Sequence, residues 1–98
     1  LIVVLVEHYR LEPSGTKTKH YFPNCSTCSL LTKFLSALHH AGLVALPYTP
    51  TPMRLLNEIL DRPENERPLL ILVTGYPAAG AMVPDIKKKS LDEFATFV

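Results

Sequence analysis

Residues 69–77 read LLILVTGYP: five apolar side chains in succession, then Thr74, with Gly75 and Pro77 closing the run. An unbroken apolar run of strand length suits a strand covered on both faces, since a half-exposed one would alternate. Residues 1–6, LIVVLV, have the same character. Between these runs the period changes. Leu30, Leu31, Phe34, Leu35, Ala37, Leu38 and Ala41 recur at spacings of one, three and four, a wide helical stripe that reads as a mostly buried helix. Gly42 stands where a C-terminal cap belongs. The next stretch, LVALP, is short and extended. TPTP then breaks the chain, with Thr51 placed as N-cap and Pro52 as first residue of a second helix whose inner face is Met53, Leu56, Ile59 and Leu60. Strands joined through helices predict an α/β fold with parallel pairing.

Two segments lie outside this alternation. Residues 12–19, EPSGTKTK, carry Pro, Gly and alternating polar residues, the signature of a surface turn. From Ala78 onward the chain reads as a long arm ending in FATFV, whose two phenylalanines need something to dock on. Ser90 and Glu93 have capping-box spacing and allow a short terminal helix. Extended pairing with another chain is the favoured alternative. The division is therefore 1–77 for sheet and helices and 78–98 for the arm.

Composition bounds the function. The 98 residues are 47% hydrophobic and 19% charged, enough for one small ordered domain and too apolar for disorder. A net charge of +1 leaves no electrostatic footprint for nucleic acid, and the basic residues are scattered apart from Lys87, Lys88 and Lys89. The longest apolar runs fall well short of the roughly 20 residues of a membrane span, so this stretch is expected to be soluble. Because it opens directly on an apolar strand, it is read as a fragment whose beginning lies elsewhere.

At AGLVALPYTP, and again along DRPENERPLLILVTGYPAAGAMVPDIKKKSLD, the sequence resembles the C-terminal part of the nitroreductase family of flavoproteins, and within it the reductive dehalogenases of iodotyrosine. The likeness rests on the helix ending AGL, the Thr-Pro stretch, the RPxxE turn, the strand ending GYP and the VPD-x-K-x-K arm, taken in order. It implies the C-terminal portion of a nitroreductase-like α+β fold, with a parallel or mixed sheet, a long buried helix and an extended C-terminal arm. It also implies an intertwined homodimer with FMN at its interface, NAD(P)H as electron source, directly or through a flavin reductase partner, and a halotyrosine-like aromatic substrate. About the first half of such an enzyme, including the lid that holds the substrate zwitterion, would lie outside these residues. Animal members are anchored to membranes by an N-terminal segment, also outside them.

The same resemblance assigns site residues. The extended stretch after AGL, here Pro47, Tyr48, Thr49 and Pro50, would lie along the isoalloxazine ring. Thr49 matches the family's threonine before the proline, whose hydroxyl lies near flavin N5; Pro47 and Tyr48 depart from the pattern. A donor at N5 tunes the cofactor, which is the protein's main lever on flavin chemistry. Lys88 stands where relatives have an arginine that reaches the FMN phosphate, keeping the charge but losing the bidentate fork.

The motif CSTC, residues 25–28, heads the long helix. A thioredoxin-like redox pair is one reading, since a helix N-terminus favours the thiolate of Cys25. In that arrangement, however, the motif follows its strand directly, and here about twenty residues intervene. A zinc site with His39 and His40 fails on distance, because at about 1.5 Å per residue the histidines lie roughly 16 Å or more down the helix. The remaining reading has Asn24 or a neighbour capping the helix while Cys28 packs as a small apolar residue. His39 and His40 complement the dipole in the last turn, and His8 and His20 flank the first surface loop. Glu64 and Glu66 suit a capping or solvated role. The leading function class is thus an FMN-dependent reductase or dehalogenase, followed by a non-enzymatic α/β dimerisation module and, third, a CxxC thiol oxidoreductase.

Overall fold

The computed structural model describes all residues 1–98, as five strands and three helices. They are β1 (Ile2–Glu7), β2 (Tyr9–Leu11), β3 (Lys17–Lys19), α1 (Pro23–His40), β4 (Val44–Tyr48), α2 (Leu55–Ile59), β5 (Glu66–Gly75) and α3 (Leu91–Phe94). β5, which contains the LLILV run, is the centre of a three-stranded sheet ordered β1-β5-β4. Both pairings are antiparallel, from Ile2 opposite Leu72 to Glu7 opposite Glu66 on one side, and from Val44 opposite Gly75 to Tyr48 opposite Ile71 on the other.

This corrects the parallel arrangement that the alternation predicts. α1 does carry the chain back, so β1 and β4 run in the same direction. They are not neighbours, because β5 inserts between them with opposite sense. The connection from β4 to β5 contains only the five-residue α2, about 7.5 Å long, which does not return the chain along the length of a strand. β5 therefore starts at the end where β4 finishes. The fold is a small mixed α/β unit with antiparallel sheets.

Local signals explain the helix ends unevenly. At the C-terminus of α1 the expected cap forms: Gly42 takes φ +79°, its amide donates to the His39 carbonyl, and Leu43 N donates to Leu38 O at 3.0 Å. That pairing satisfies the last carbonyls of the helix. At the N-terminus the cap residue is Phe22 rather than Asn24, with Pro23 in the first turn and no side-chain hydrogen bond to the exposed amides. α2 also begins later than Thr51 and Pro52 suggest. Leu55, Leu56 and Asn57 donate to the carbonyls of Pro52, Met53 and Arg54, three residues back, so a tight turn occupies the place of the first helical turn. Residues 12–16 make the expected surface turn, but the residues flanking it pair as the β2–β3 hairpin, Tyr9 opposite Lys19 and Leu11 opposite Lys17. Lys17 Nζ lies 4.9 Å from the centre of the Tyr9 ring, a cation–π contact that helps such a short ribbon hold.

Burial is the largest departure from expectation. Only Val6 and Leu72 are buried. In α1, Leu31, Leu35 and Leu38 are half-buried against the sheet, while Leu30 is 67% exposed and Phe34 lies open as well. β1 is an edge strand, half-buried rather than enclosed. Of the residues expected on the inner face of the second helix, Met53, which precedes α2, and Leu56 are half-buried, whereas Ile59, and Leu60 just past the helix end, are exposed. The accessible surface is 8416 Å², against about 5,600 Å² for a compact monomer of this mass. The radius of gyration is 17.6 Å, against about 13 Å for a compact chain of this length. Apolar periodicity marks the face that wants covering; this chain supplies a cover for only part of it.

The arm accounts for much of the excess. Beyond Gly75 its hydrogen bonds are all local: Ala81 N to Ala78 O, Ile86 N to Pro84 O, and those within α3. Ser90 and Glu93 complete the capping box, so residues 91–94 form a helical turn where extended pairing is the favoured sequence reading. Ala95 returns to extended backbone at φ −126° and ψ 138°. The Glu93 carboxylate accepts from the Ser90 backbone N–H and then from its hydroxyl, and these bonds hold its pKa below the usual value. No helix is long and apolar enough to cross a membrane.

One side chain ties α2 to the sheet. Asn57 Nδ2 donates to the Glu66 carbonyl at 2.7 Å in a partly buried setting. Asn57→Ala is expected to lower stability by about 1 kcal/mol, read as a lower urea midpoint with an unchanged m-value. A shift inside experimental error would show that the bond contributes nothing net.

Candidate functional site

The Gly42 turn delivers the chain into β4, and β4 is an edge strand, which is why Pro47 is tolerated there without an N–H to donate. Strand alternation puts Val44, Leu46 and Tyr48 on one face and Ala45 and Pro47 on the other. Val44, Leu46 and Tyr48 are all exposed, whereas Ala45 is half-buried. One face of β4 is thus a short apolar platform with nothing over it. Thr74 Oγ1 donates to the Val44 carbonyl at 3.0 Å and fixes the start of the strand against β5. Thr49 follows at the platform's far end. It is exposed, and its hydroxyl makes no hydrogen bond within the chain.

Pro47, Tyr48 and Thr49 are therefore adjacent at one sheet edge. Lys88 is not tied to them. It lies in the arm, exposed and without an ion-pair partner, and no hydrogen bond joins the arm to the sheet or to α1.

A concavity lies elsewhere. A groove of about 700 Å³ between α2 and the start of β5 is lined chiefly by Arg54, Asn57, Glu58, Arg62, Glu66 and Arg67. Its charges partly cancel. Arg62 donates to both oxygens of Glu66, Nε to Oε2 at 2.8 Å and the terminal nitrogen to Oε1 at 2.7 Å. That pairing holds the Glu66 carboxyl below its usual range and raises Arg62, mainly through the side-chain hydrogen bond. Glu66 thus has an ion-pair role that its position in the turn did not reveal, while Glu64 remains exposed at the groove. The groove is lined chiefly by charged and polar residues, whereas the exposed face of β4 carries Val44, Leu46 and Tyr48.

Cys25 and Cys28 are both free and exposed, so the packing role expected of Cys28 is not filled. His39 and His40 sit in the last turn of α1 as their position implies. His20 Nε2 lies 3.7 Å from Glu7 Oε1 beside the hairpin. No three His, Cys, Asp or Glu side chains are grouped as a metal would need.

Comparison with known proteins adds what geometry does not. The iodotyrosine deiodinase of Haliscomenobacter hydrossis is 52% identical over 89 residues, 91% of this chain and 40% of that protein. The Danio rerio enzyme of the same name is 40% identical over the whole chain, which spans 34% of its length. That of Nematostella vectensis is 38% identical over 95% of this chain and 36% of its own length. The chain is homologous to the iodotyrosine deiodinases. No family profile matches it. The alignment to these deiodinases takes in β4, Thr49, β5 and at least part of the arm, so the platform belongs to the related region. The chain spans only 34–40% of these three relatives' length.

Proposed function

We propose that this chain is the C-terminal part of an FMN-dependent reductive dehalogenase of nitroreductase-like fold, acting on iodotyrosine-like halotyrosines as an intertwined homodimer. The observation that carries the reading is 52% identity over 91% of the chain to a protein named iodotyrosine deiodinase. The division into a sheet-and-helix unit, 1–77, and a dimer-crossing arm, 78–98, is part of the proposal.

The residues present suit FMN in chemistry. The exposed face of β4, Val44, Leu46 and Tyr48, offers apolar area for one side of a flat ring. Thr49 carries an uncommitted hydroxyl for the ring's N5 edge, and Pro47 and Tyr48 supply backbone alongside it. Lys88 carries an uncommitted ammonium for a phosphate. FMN, when bound, supplies the electron transfer, with NAD(P)H as the ultimate donor, directly or through a flavin reductase. In this reading Thr49 orients the ring edge and biases its protonation, and β4 excludes water from one ring face. Lys88 neutralises phosphate charge once the arm has crossed to the partner.

The uncovered apolar surface fits the same reading. The side chains left open include Val44, Leu46, Phe94 and Phe97, apolar surface of the kind that obligate interfaces bury. It also suits a non-enzymatic module that uses its arm to dimerise. Absorbance separates the two. The protein expressed at the length of its relatives is expected to purify yellow and to release FMN on heat denaturation. The isolated 98 residues are expected to bind no flavin and show no activity. A colourless long form that does not quench FMN fluorescence on titration would overturn the enzymatic reading.

A further inference from the structure

The exposed thiols have a geometry of their own. Cys25 and Cys28 are the third and sixth residues of α1, and both are open to solvent. Residues three apart on a helix share a face, with Cα atoms about 5 Å apart, inside the roughly 4.4–6.8 Å that a disulfide spans. Their Cβ atoms must close from roughly 5–6 Å to about 4 Å, so the helix has to tighten locally. The first turn is where a helix yields most easily. In α1 that turn starts from Phe22 with no side-chain cap and no acidic residue to stiffen it. The intervening and following residues are Ser26, Thr27 and Ser29, small enough to leave both sulfurs accessible. Thr27 Oγ1 is already engaged, donating to the Pro23 carbonyl at 2.8 Å.

We propose that Cys25 and Cys28 form a reversible dithiol–disulfide pair, a redox modification site that takes low-molecular-weight disulfides of the glutathione type as oxidant. The Cys25 thiolate attacks one sulfur of the small disulfide, forming a mixed disulfide and expelling one small thiolate. Cys28 gives up its proton and attacks Cys25 Sγ, closing the intrahelical bond and expelling the second small thiolate. Two protein thiols lose two electrons and two protons; one small disulfide becomes two thiols. The site is independent of the flavin reading and requires no catalytic role for either cysteine.

The test is equilibration of the purified protein in oxidised and reduced glutathione, acid quenching, alkylation and tryptic digestion. The peptide of residues 20–33, HYFPNCSTCSLLTK, contains both cysteines and no internal cleavage site. In the oxidising buffer it is expected to take up no alkylating label and to lose the mass of two hydrogen atoms, and dithiothreitol should restore two labels. Cys28→Ser should instead trap one glutathione on Cys25. Two labels after oxidation, or a separate glutathione on each sulfur, would overturn the proposal. So would a disulfide that closes only when the protein is unfolded in urea.

Discussion

On the proposed reading of a longer, dimeric protein, removal of residues 91–98 is expected to convert the dimer into a monomer at micromolar concentration. The segment holds Phe94 and Phe97, which are 68% and 79% exposed, together with the open Leu91 and Val98. Burying one large apolar side chain contributes about 1.5–3 kcal/mol. Two phenylalanines therefore account for roughly 3–6 kcal/mol, about 10²–10⁴ in the dissociation constant at about 1.4 kcal/mol per tenfold. The capping box matters to this figure. By fixing Leu91–Phe94 as a helical turn, Ser90 and Glu93 hold Phe94 in place before docking and reduce the ordering cost of association. Sedimentation velocity across a dilution series reads the result. A dimer that persists unchanged after truncation would show that the arm does not carry the interface, and Phe94→Ala with Phe97→Ala in the intact arm would separate lost contacts from lost backbone.

The sequence speaks unevenly about this molecule, for identifiable reasons. β5 and the C-terminus of α1 are legible because their signals are local: an unbroken apolar run closed by Gly and Pro, and a glycine that can take φ +79°. Strand direction is not local. It depends on how far the β4–β5 connection carries the chain, and a five-residue α2 looks, as a pattern, like a longer helix opened by Pro52. The β2–β3 hairpin escapes notice because its strands have only three residues each and KTK has no apolar face. Burial was beyond reach for a different reason. Periodicity identifies the stripe on α1, but Leu30 and Phe34 show that a stripe can exist without its cover. The site residues are harder still. Thr49 beside a proline reads as a turn, and three successive lysines read as a solvated run, so both depend on resemblance. The structure contributes the uncommitted hydroxyl and the apolar face next to it.

That hydroxyl supports the sharpest expectation. Thr49→Ala in the full-length protein should leave the fold intact, because the side chain is exposed and makes no hydrogen bond within the chain. If the proposed flavin reading holds, FMN content should also survive, since the lost donor would be one contact worth about 1 kcal/mol among many. The change should fall on the partition between one-electron and two-electron reduction. On the proposed reading the Thr49 hydroxyl would donate to N5 while that nitrogen is unprotonated and accept from N5–H once it is protonated, so its removal would penalise the one-electron form relative to the oxidised and fully reduced ones. Each ~1.4 kcal/mol of that preference is tenfold in population. Anaerobic reductive titration followed by visible absorbance should therefore show one-electron-reduced flavin falling severalfold to tenfold in the variant. Dehalogenation should fall with it, while two-electron nitro reduction is better preserved. Thr49→Ser keeps the hydroxyl and should restore most of the lost one-electron form. If Thr49→Ala accumulates as much of that form as the parent, Thr49 is a turn residue only, and the face of β4 assigned to the flavin is the wrong one.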